Sequence, residues 1–205
     1  MKIAVCIPFY KFMEAHAVQS LITMMADIHN HGDVYIPVIC HSIFIEKARA
    51  VLTETALTKI GDVDYILCID TDHIYSATAL YELIAAMEKE GLGMLSAAYN
   101  ARNMPKHYAH IQMGKDGKTA SKIEVGKAKG VTECYAVGFG FLVFKPDFLR
   151  KMWNLHGPNL FVGGVQDGVM YTGDDIRFCE LARQAGHNAH FHAGVKVGHI
   201  SQVVL

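Results

Sequence analysis

Two carboxylates spaced two residues apart are the first feature of this sequence that could do chemistry. Asp70 and Asp72 follow an apolar run, residues 65–69, whose length suits a buried strand. In an extended chain, residues i and i+2 share one face, so both carboxylates can point the same way. Two close carboxylates repel each other unless a cation lies beside them, and a hard divalent ion such as Mg²⁺ or Mn²⁺ would relieve that repulsion. The spacing therefore predicts a metal site at the end of a strand, facing a phosphorylated ligand.

The same Asp-x-Asp spacing also occurs in ordinary turns and helix caps. Asp72 could simply begin the turn into a helix that starts at Ser76. The choice between a metal site and a turn depends on what the rest of the chain places at the same edge.

Alternating apolar segments around these carboxylates predict an α/β protein. Strands and helices alternate through the first half, which implies right-handed crossovers and a mainly parallel central sheet flanked by helices. The predicted strands are residues 2–8, 34–40, 64–69, 92–98 and 136–145. The predicted helices are residues 13–29, 43–59 and 76–90, a helix starting at Pro146, and a last helix that starts at Gly173-Asp174 and ends at Gly186.

Two segments of the second half depart from this alternation. Residues 107–126 hold a strong turn signal at 115–118 between two short polar strands, which predicts a small antiparallel flap. Residues 157–173 form a long glycine-containing loop, and such loops are often functional. Residues 100–130 are locally basic, either as a solvated flap or as a site for an anionic polymer, including nucleic acid.

Ligands of such sheets bind in the crevice beyond the carboxyl ends of the strands. Neither a GxGxxG nor a GxxxxGK[ST] motif is present, so no dinucleotide fingerprint or P-loop is predicted. Gly138 and Gly140 would let a ligand approach the backbone closely. The residues expected at strand ends that face the crevice are Pro8, Phe9, Tyr10, Asp70, Thr71 and Asp72.

A second pair of carboxylates, Asp174 and Asp175, begins the last predicted helix. The helix dipole would keep a carboxylate in this position ionised, and so available as a base at neutral pH. The alternative is a capping role, and one residue could cap while the other acts as a base.

Composition limits the class of protein. The chain has 205 residues, 51% of them hydrophobic, which suits one domain over residues 1–205 with a sizeable core. A formal net charge of −1 argues against nucleic-acid binding driven by bulk charge. The five scattered cysteines are predicted to be free thiols in a reducing compartment, and no apolar run reaches transmembrane length, so a cytoplasmic location is expected.

Taken in order, these motifs resemble those of GT-A glycosyltransferases, especially small family-2-like proteins of bacteria and phages. The motifs are Asp70-Thr71-Asp72, the segment AVGFGFLVF from residue 136, GDDIRFC from residue 173, and KVGH ending at His199. The resemblance covers nearly the whole chain, and it implies a UDP- or GDP-sugar donor with Mn²⁺ or Mg²⁺ as cofactor.

The resemblance also implies roles for individual residues. Asp72 and His199 would be metal ligands, and Asp70 would lie near the ribose or a metal-bound water. Asp175 would be the general base of an inverting transfer, while Asp174 stands where the family usually has Glu. The nucleotide would contact Pro8 and Phe9, and also Arg49, although Ala50 replaces the Asn that often follows that Arg.

Other functions remain open at this point. A degenerate GT-A fold could bind a nucleotide sugar or carbohydrate without turnover, and a nucleotidyltransferase uses a similar sheet and carboxylate pair. The alternative for His199 is a surface histidine without a ligand. The acceptor could be a glycan, a protein or a modified nucleic acid. It could be held by the flap, by the 157–173 loop or by a second subunit of a homo-oligomer.

Overall fold

A computed structural model describes residues 1–101, 104–113, 120–163, 165–166, 169–170 and 172–200. The helices are α1 (Ala15–Asn30), α2 (Ile45–Glu54), α3 (Ala79–Glu90), α4 (Pro146–His156) and α5 (Asp174–Gln184). The strands are β1 (Lys2–Phe9), β2 (Val34–His41), β3 (Tyr65–Ile69), β4 (His73–Ile74), β5 (Met94–Ala101), β6 (Met104–Met113), β7 (Ala120–Glu124), β8 (Val131–Cys134), β9 (Phe141–Phe144), β10 (Val165–Gln166), β11 (Val169–Met170) and β12 (Ala189–His199).

The central sheet runs in the order β2-β1-β3-β9-β5-β12-β4. Strand β1 pairs in parallel with β2 and β3, and β12 pairs in parallel with β5. Because β9 is antiparallel to both β3 and β5, those two strands point the same way. The prediction of a mainly parallel sheet is therefore confirmed. Strand β9 runs antiparallel inside it, and β4 and β8 pair antiparallel with β12.

The strands alternate between two apolar layers, as a sheet covered on both faces requires. In β1, Ala4 and Cys6 join one buried cluster, while Ile3, Val5 and Ile7 join the other. Helices α1 and α3 pack in the second layer, and α2, α4 and α5 pack in the first. The first turns of α2 and α5 consequently lie on the same side of the sheet.

Strands β6 and β7 extend the sheet from β5 as an antiparallel hairpin, which confirms the predicted flap. The turn predicted at 115–118 lies outside the described residues. The predicted 157–173 loop instead contains a 3-10 turn, Gly157–Phe161, and the short antiparallel pair β10–β11.

The helix predicted over 76–90 begins only at Ala79, and two further predicted elements are much shorter than expected. The helix predicted over 43–59 ends as α2, and a π-helical segment, Thr55–Ile60, follows it. The strand predicted over 136–145 is β9 alone. One reason is that the Gly140 amide donates to the Tyr99 hydroxyl at 3.0 Å, so this backbone donor is used outside a strand ladder.

All five cysteines are free thiols, as predicted. Cys6, Cys134 and Cys179 are buried, while Cys40 and Cys68 are half-buried. Across the described ranges, none of the helices combines the length and apolar character that a membrane crossing needs.

Candidate functional site

A crevice of about 230 Å³ opens at the carboxyl ends of β1 and β3. The loop after β3 contributes Asp70, Thr71 and Asp72, and the end of β1 contributes Pro8, Phe9 and the adjacent Tyr10. The helix α2 contributes Arg49. The structure thus brings together seven of the residues predicted to bind donor or metal, and it adds Ser42, Ile43 and Ile45 to the lining.

Aromatic side chains form one wall of this crevice. The Phe9 and His41 rings lie 6.1 Å apart between centroids, and the Tyr10 and His41 rings lie 6.4 Å apart with an interplanar angle of 25°. Tyr10 is 48% exposed, so its ring faces the opening. His41 packs against these two rings from behind the residues that line the crevice, and nothing in the sequence marked it for this contact.

Arg49 is buried at the base of the crevice between two carboxylates. Its Nη2 lies 3.4 Å from Asp70 Oδ1, and its Nη1 donates to Asp174 Oδ2. The guanidinium carbon lies 4.7 Å from the centroid of the Phe139 ring, in cation–π contact. Arg49 therefore ties the end of β3 to the first turn of α5.

In the buried ion pair of Arg49 and Asp174, each charge opposes the effect of burial on the pKa of the other residue. Burial disfavours the charged guanidinium, yet the carboxylates of Asp70 and Asp174 raise the pKa of Arg49 above its ordinary value. Burial raises the pKa of Asp174, and the Arg49 charge opposes that rise. Both side chains are nearly enclosed, with Arg49 9% and Asp174 8% exposed, so neither charge is well solvated without the other.

A second cluster lies on the other side of the same loop. Asp72 Oδ2 lies 3.3 Å from His199 Nε2, and Asp72 Oδ1 lies 2.9 Å from His73 Nδ1. One ligand atom from each of these three residues lies within 4.8 Å of the other two. Burial opposes ionisation of Asp72, but both imidazoles lower the pKa of its carboxyl well below the ordinary value.

The end of β12 carries His199 to this place. His199 pairs with His73 across the antiparallel β4–β12 contact, and the amide of Ile200 donates to the Asp72 carbonyl at 2.8 Å. The two imidazole rings stack with centroids 4.6 Å apart and an interplanar angle of 16°. The Asp72–His199 proximity that the resemblance implied is present in the structure.

Asp70 and Asp72 do not share one cluster. In the part of the chain that the structure describes, the group able to hold a cation is Asp72, His73 and His199, whereas Asp70 lies beside Arg49. In an extended chain the side chains of residues 70 and 72 would point to the same face, but residues 71 and 72 form a turn, so this alternation of side-chain direction stops after β3.

Sequence reasoning missed His73. The side chain is 1% exposed, and neither ring nitrogen has a hydrogen-bond partner among the described residues, since the short contact to Asp72 is not aligned as a hydrogen bond. Its position directly after the Asp-x-Asp motif was the available signal.

Gly138 and Gly140 leave room for the protein's own side chains. A Cβ atom on Gly140 would lie 2.5 Å from the His73 ring, and one on Gly138 would lie 2.1 Å from the Tyr99 hydroxyl. The space that the sequence suggested for a ligand at these glycines is thus filled by His73 and Tyr99.

The two acidic residues predicted at the start of α5 have different hydrogen-bond partners. The N-cap residue is Gly173, with an extended backbone, and Asp174 turns its carboxylate to Arg49 instead of capping the helix. Asp175 is half-buried, and its Oδ1 accepts a hydrogen bond from the Ile176 amide at 2.8 Å. The two residues consequently have different environments despite their adjacency.

Comparison with known proteins identifies the architecture. No protein-family model and no curated protein sequence matches this chain. Among solved structures, the chain is similar to A197 from STIV, with a TM-score of 0.62 and 15% identity over 98% of this chain and 86% of that one. It is also similar to GalNAc-T7 with UDP, GalNAc and Mn²⁺, with a TM-score of 0.63 and 11% identity over 98% of this chain but 43% of that one.

A third similarity is to the catalytic domain of Drosophila β1,4-galactosyltransferase 7 in complex with xylobiose. The TM-score is 0.56 and the identity 17%, over 98% of this chain and 71% of that one. A mutant of the same enzyme was solved in complex with manganese, UDP-Gal and xylobiose. At such identities the likeness concerns the fold, and it shows that this chain has the GT-A fold of glycosyltransferases, as predicted.

Proposed function

We propose that this protein is a metal-dependent glycosyltransferase that uses a nucleotide-sugar donor. One observation carries the proposal: on a GT-A fold, Asp72 both lines the crevice at the carboxyl edge of the sheet and belongs to the cluster suited to a cation. A donor's pyrophosphate placed in the crevice would therefore lie beside that cation. The similar structures that hold UDP and manganese support this arrangement.

The residues present fit a divalent metal. His73 offers two buried ring nitrogens without hydrogen-bond partners among the described residues, and Asp72 and His199 complete a group of close ligand atoms. A bound Mn²⁺ or Mg²⁺ would neutralise the negative charge that develops on the leaving nucleoside diphosphate.

The remaining crevice residues would hold the nucleoside. Phe9 and Tyr10, with His41 beside them, offer flat apolar faces to a nucleobase. Asp70 is fixed by Arg49 and could accept hydrogen bonds from ribose hydroxyls, while Pro8 and Thr71 complete the walls.

Asp175 would act as the general base. The acceptor hydroxyl loses its proton to the Asp175 carboxylate as its oxygen attacks the anomeric carbon, and the bond from that carbon to the phosphate oxygen breaks. The nucleoside diphosphate leaves from the opposite face, so the configuration inverts. Asp174 is committed to Arg49, which leaves Asp175 as the carboxylate of this pair that can accept the proton.

The test compares Asp175→Asn with wild type. Calorimetry should show unchanged binding of UDP or GDP in the presence of Mn²⁺, because Asp175 lies outside the cation cluster. Turnover, measured as nucleoside diphosphate released from UDP- and GDP-sugars with glycan, protein and nucleic-acid acceptors, should fall about 10²–10⁴-fold. Asp147→Asn is a matched control, since Asp147 is an exposed acidic residue in the first turn of α4.

The outcomes separate the alternatives. Near-normal transfer by Asp175→Asn, or a product with retained configuration, would end the base assignment. Donor binding by wild type with neither transfer nor hydrolysis would indicate a binding module. Release of pyrophosphate from a nucleoside triphosphate and a sugar phosphate would indicate a nucleotidyltransferase.

A further inference from the structure

The environment of His73 is unlike that of an ordinary core histidine. A buried imidazole normally places at least one ring nitrogen in a hydrogen bond, because an unsatisfied polar atom is costly. His110 follows this rule, with Nε2 2.9 Å from the Ala97 carbonyl oxygen. His73 is equally enclosed, yet neither of its nitrogens has such a partner among the described residues.

The contacts of Asp72 show where the Nδ1 atom of His73 points. One oxygen of its carboxylate lies 2.9 Å from His73 Nδ1, and the other lies 3.3 Å from His199 Nε2. Ligands at about 2.1 Å from one ion and at right angles to each other are about 3.0 Å apart. Each separation, one to each oxygen of the carboxylate, is therefore compatible with neighbouring ligands of a cation, and one ligand atom from each of the three residues lies within 4.8 Å of the other two.

The second imidazole is already oriented for this role. His199 Nδ1 lies 3.1 Å from the Asn100 carbonyl oxygen, which can only accept, so Nδ1 carries the proton. With Nδ1 protonated, Nε2 is the ring nitrogen of His199 that could bind a cation placed beside Asp72. A hydrogen bond from the far ring nitrogen to a carbonyl is the usual support of a metal-binding histidine.

We propose that His73 is a third protein ligand, with Asp72 and His199, of the cation that the proposed function requires. This set supplies two imidazole nitrogens and one carboxylate. Mg²⁺ prefers oxygen ligands and keeps its waters, whereas imidazole suits transition metals. The site consequently prefers Mn²⁺ and Co²⁺ over Mg²⁺.

The test uses metal alone, without a donor. Wild-type protein is titrated with CoCl₂, MnCl₂ and MgCl₂ by calorimetry, and the visible absorption of bound Co²⁺ is recorded. We expect Mn²⁺ and Co²⁺ to bind at least about tenfold more tightly than Mg²⁺. Equal affinity for Mg²⁺ and Mn²⁺, or no binding of any of the three ions, would overturn the proposal.

The substitution His73→Phe tests the contribution of the two ring nitrogens separately from the packing of the ring. Phenylalanine keeps a ring that can stack on His199 and contact Tyr99 by its edge, as the imidazole does, but it offers no ligand atom. Co²⁺ affinity should fall at least about tenfold and the Co²⁺ spectrum should change. His16→Phe is the control, because His16 is exposed on α1. An unchanged spectrum and affinity in His73→Phe would make His73 only a support for His199.

A measurement on wild type avoids dependence on the variant's folding. Pulsed electron paramagnetic resonance of bound Mn²⁺ should show coupling to two imidazole nitrogens, and coupling to one would refute the proposal. These readouts are independent of turnover, so failure of the ligand assignment and failure of the glycosyltransferase proposal can be told apart.

Discussion

Replacing Arg49 by Met should reduce the free energy of unfolding by about 3–5 kcal/mol, because it removes one partner of a buried ion pair. Methionine fills much of the same volume, so the loss comes mainly from charge. The carboxylate of Asp174, 8% exposed, would keep its burial and lose the guanidinium that donates to it. Asp70 should suffer less, since its side chain is 30% exposed and can be solvated.

The pH dependence of this loss follows from the same geometry. Burial already raises the pKa of Asp174, and without Arg49 that pKa should rise further. A carboxyl whose folded-state pKa is raised contributes stability at low pH and loses it as the pH rises through that pKa. The difference in unfolding free energy between wild type and Arg49→Met should therefore become smaller as the pH falls from 7 towards 4.

A double-mutant cycle provides the measurement. Urea unfolding followed by circular dichroism would be run for Arg49→Met, Asp174→Asn and the double variant. The double variant leaves no unpaired buried charge at residue 174. Its loss of unfolding free energy should therefore be smaller, by about 2 kcal/mol or more, than the sum of the losses in the two single variants. Arg177→Met is the control, because Arg177 makes a partly exposed pair with Glu180 on α5 that is worth under about 0.5 kcal/mol. The reasoning would be refuted if the two single changes in unfolding free energy added within about 0.5 kcal/mol, or if Arg49→Met lost less than about 1 kcal/mol of unfolding free energy.

Two further predictions concern stability. Burial lowers the pKa of His110 to about 3. As the pH is lowered, the unfolded chain therefore gains a proton at this residue before the folded protein does. Between roughly pH 6.5 and 3, the free energy of unfolding of wild type should fall, relative to that of His110→Leu, by up to about 1.4 kcal/mol for each pH unit. Equal slopes of unfolding free energy against pH would contradict this. Gly140→Ala should cost about 1–3 kcal/mol in urea unfolding, because its Cβ would lie 2.5 Å from the His73 ring, whereas Gly198→Ala meets nothing closer than 3.6 Å. Equal losses in the two variants would count against the steric argument.

The sequence was sufficient to predict the sheet and its carboxyl edge. Apolar runs of strand length alternated with helical periodicity, and the polar residues that followed β1 and β3 had to meet at one edge. The placement of Pro8 beside Asp70 in one crevice follows directly from that topology.

Side-chain partners within the site could not be predicted in the same way. Arg49 and Asp174 are 125 residues apart, and nothing local marks them as a pair. His73 follows a turn, where the alternation of strand side chains no longer fixes direction. The strand predicted over 136–145 was too long, and the pattern of apolar residues gave no sign that the Gly140 amide bonds to the Tyr99 hydroxyl instead of a neighbouring strand.

The packing of Gly140 against His73 has a consequence for how related sequences can differ. Because a Cβ at residue 140 and an imidazole at residue 73 compete for one volume, residue 140 cannot gain a Cβ while histidine stands at 73. A chain that first replaced His73 by a small residue would leave Tyr99 Cζ, at 3.1 Å, as the nearest neighbour of an alanine Cβ at 140, while the reverse order of substitution would pass through a more strained intermediate. Residues 73 and 140 should therefore covary across homologues, with glycine at 140 accompanying histidine at 73.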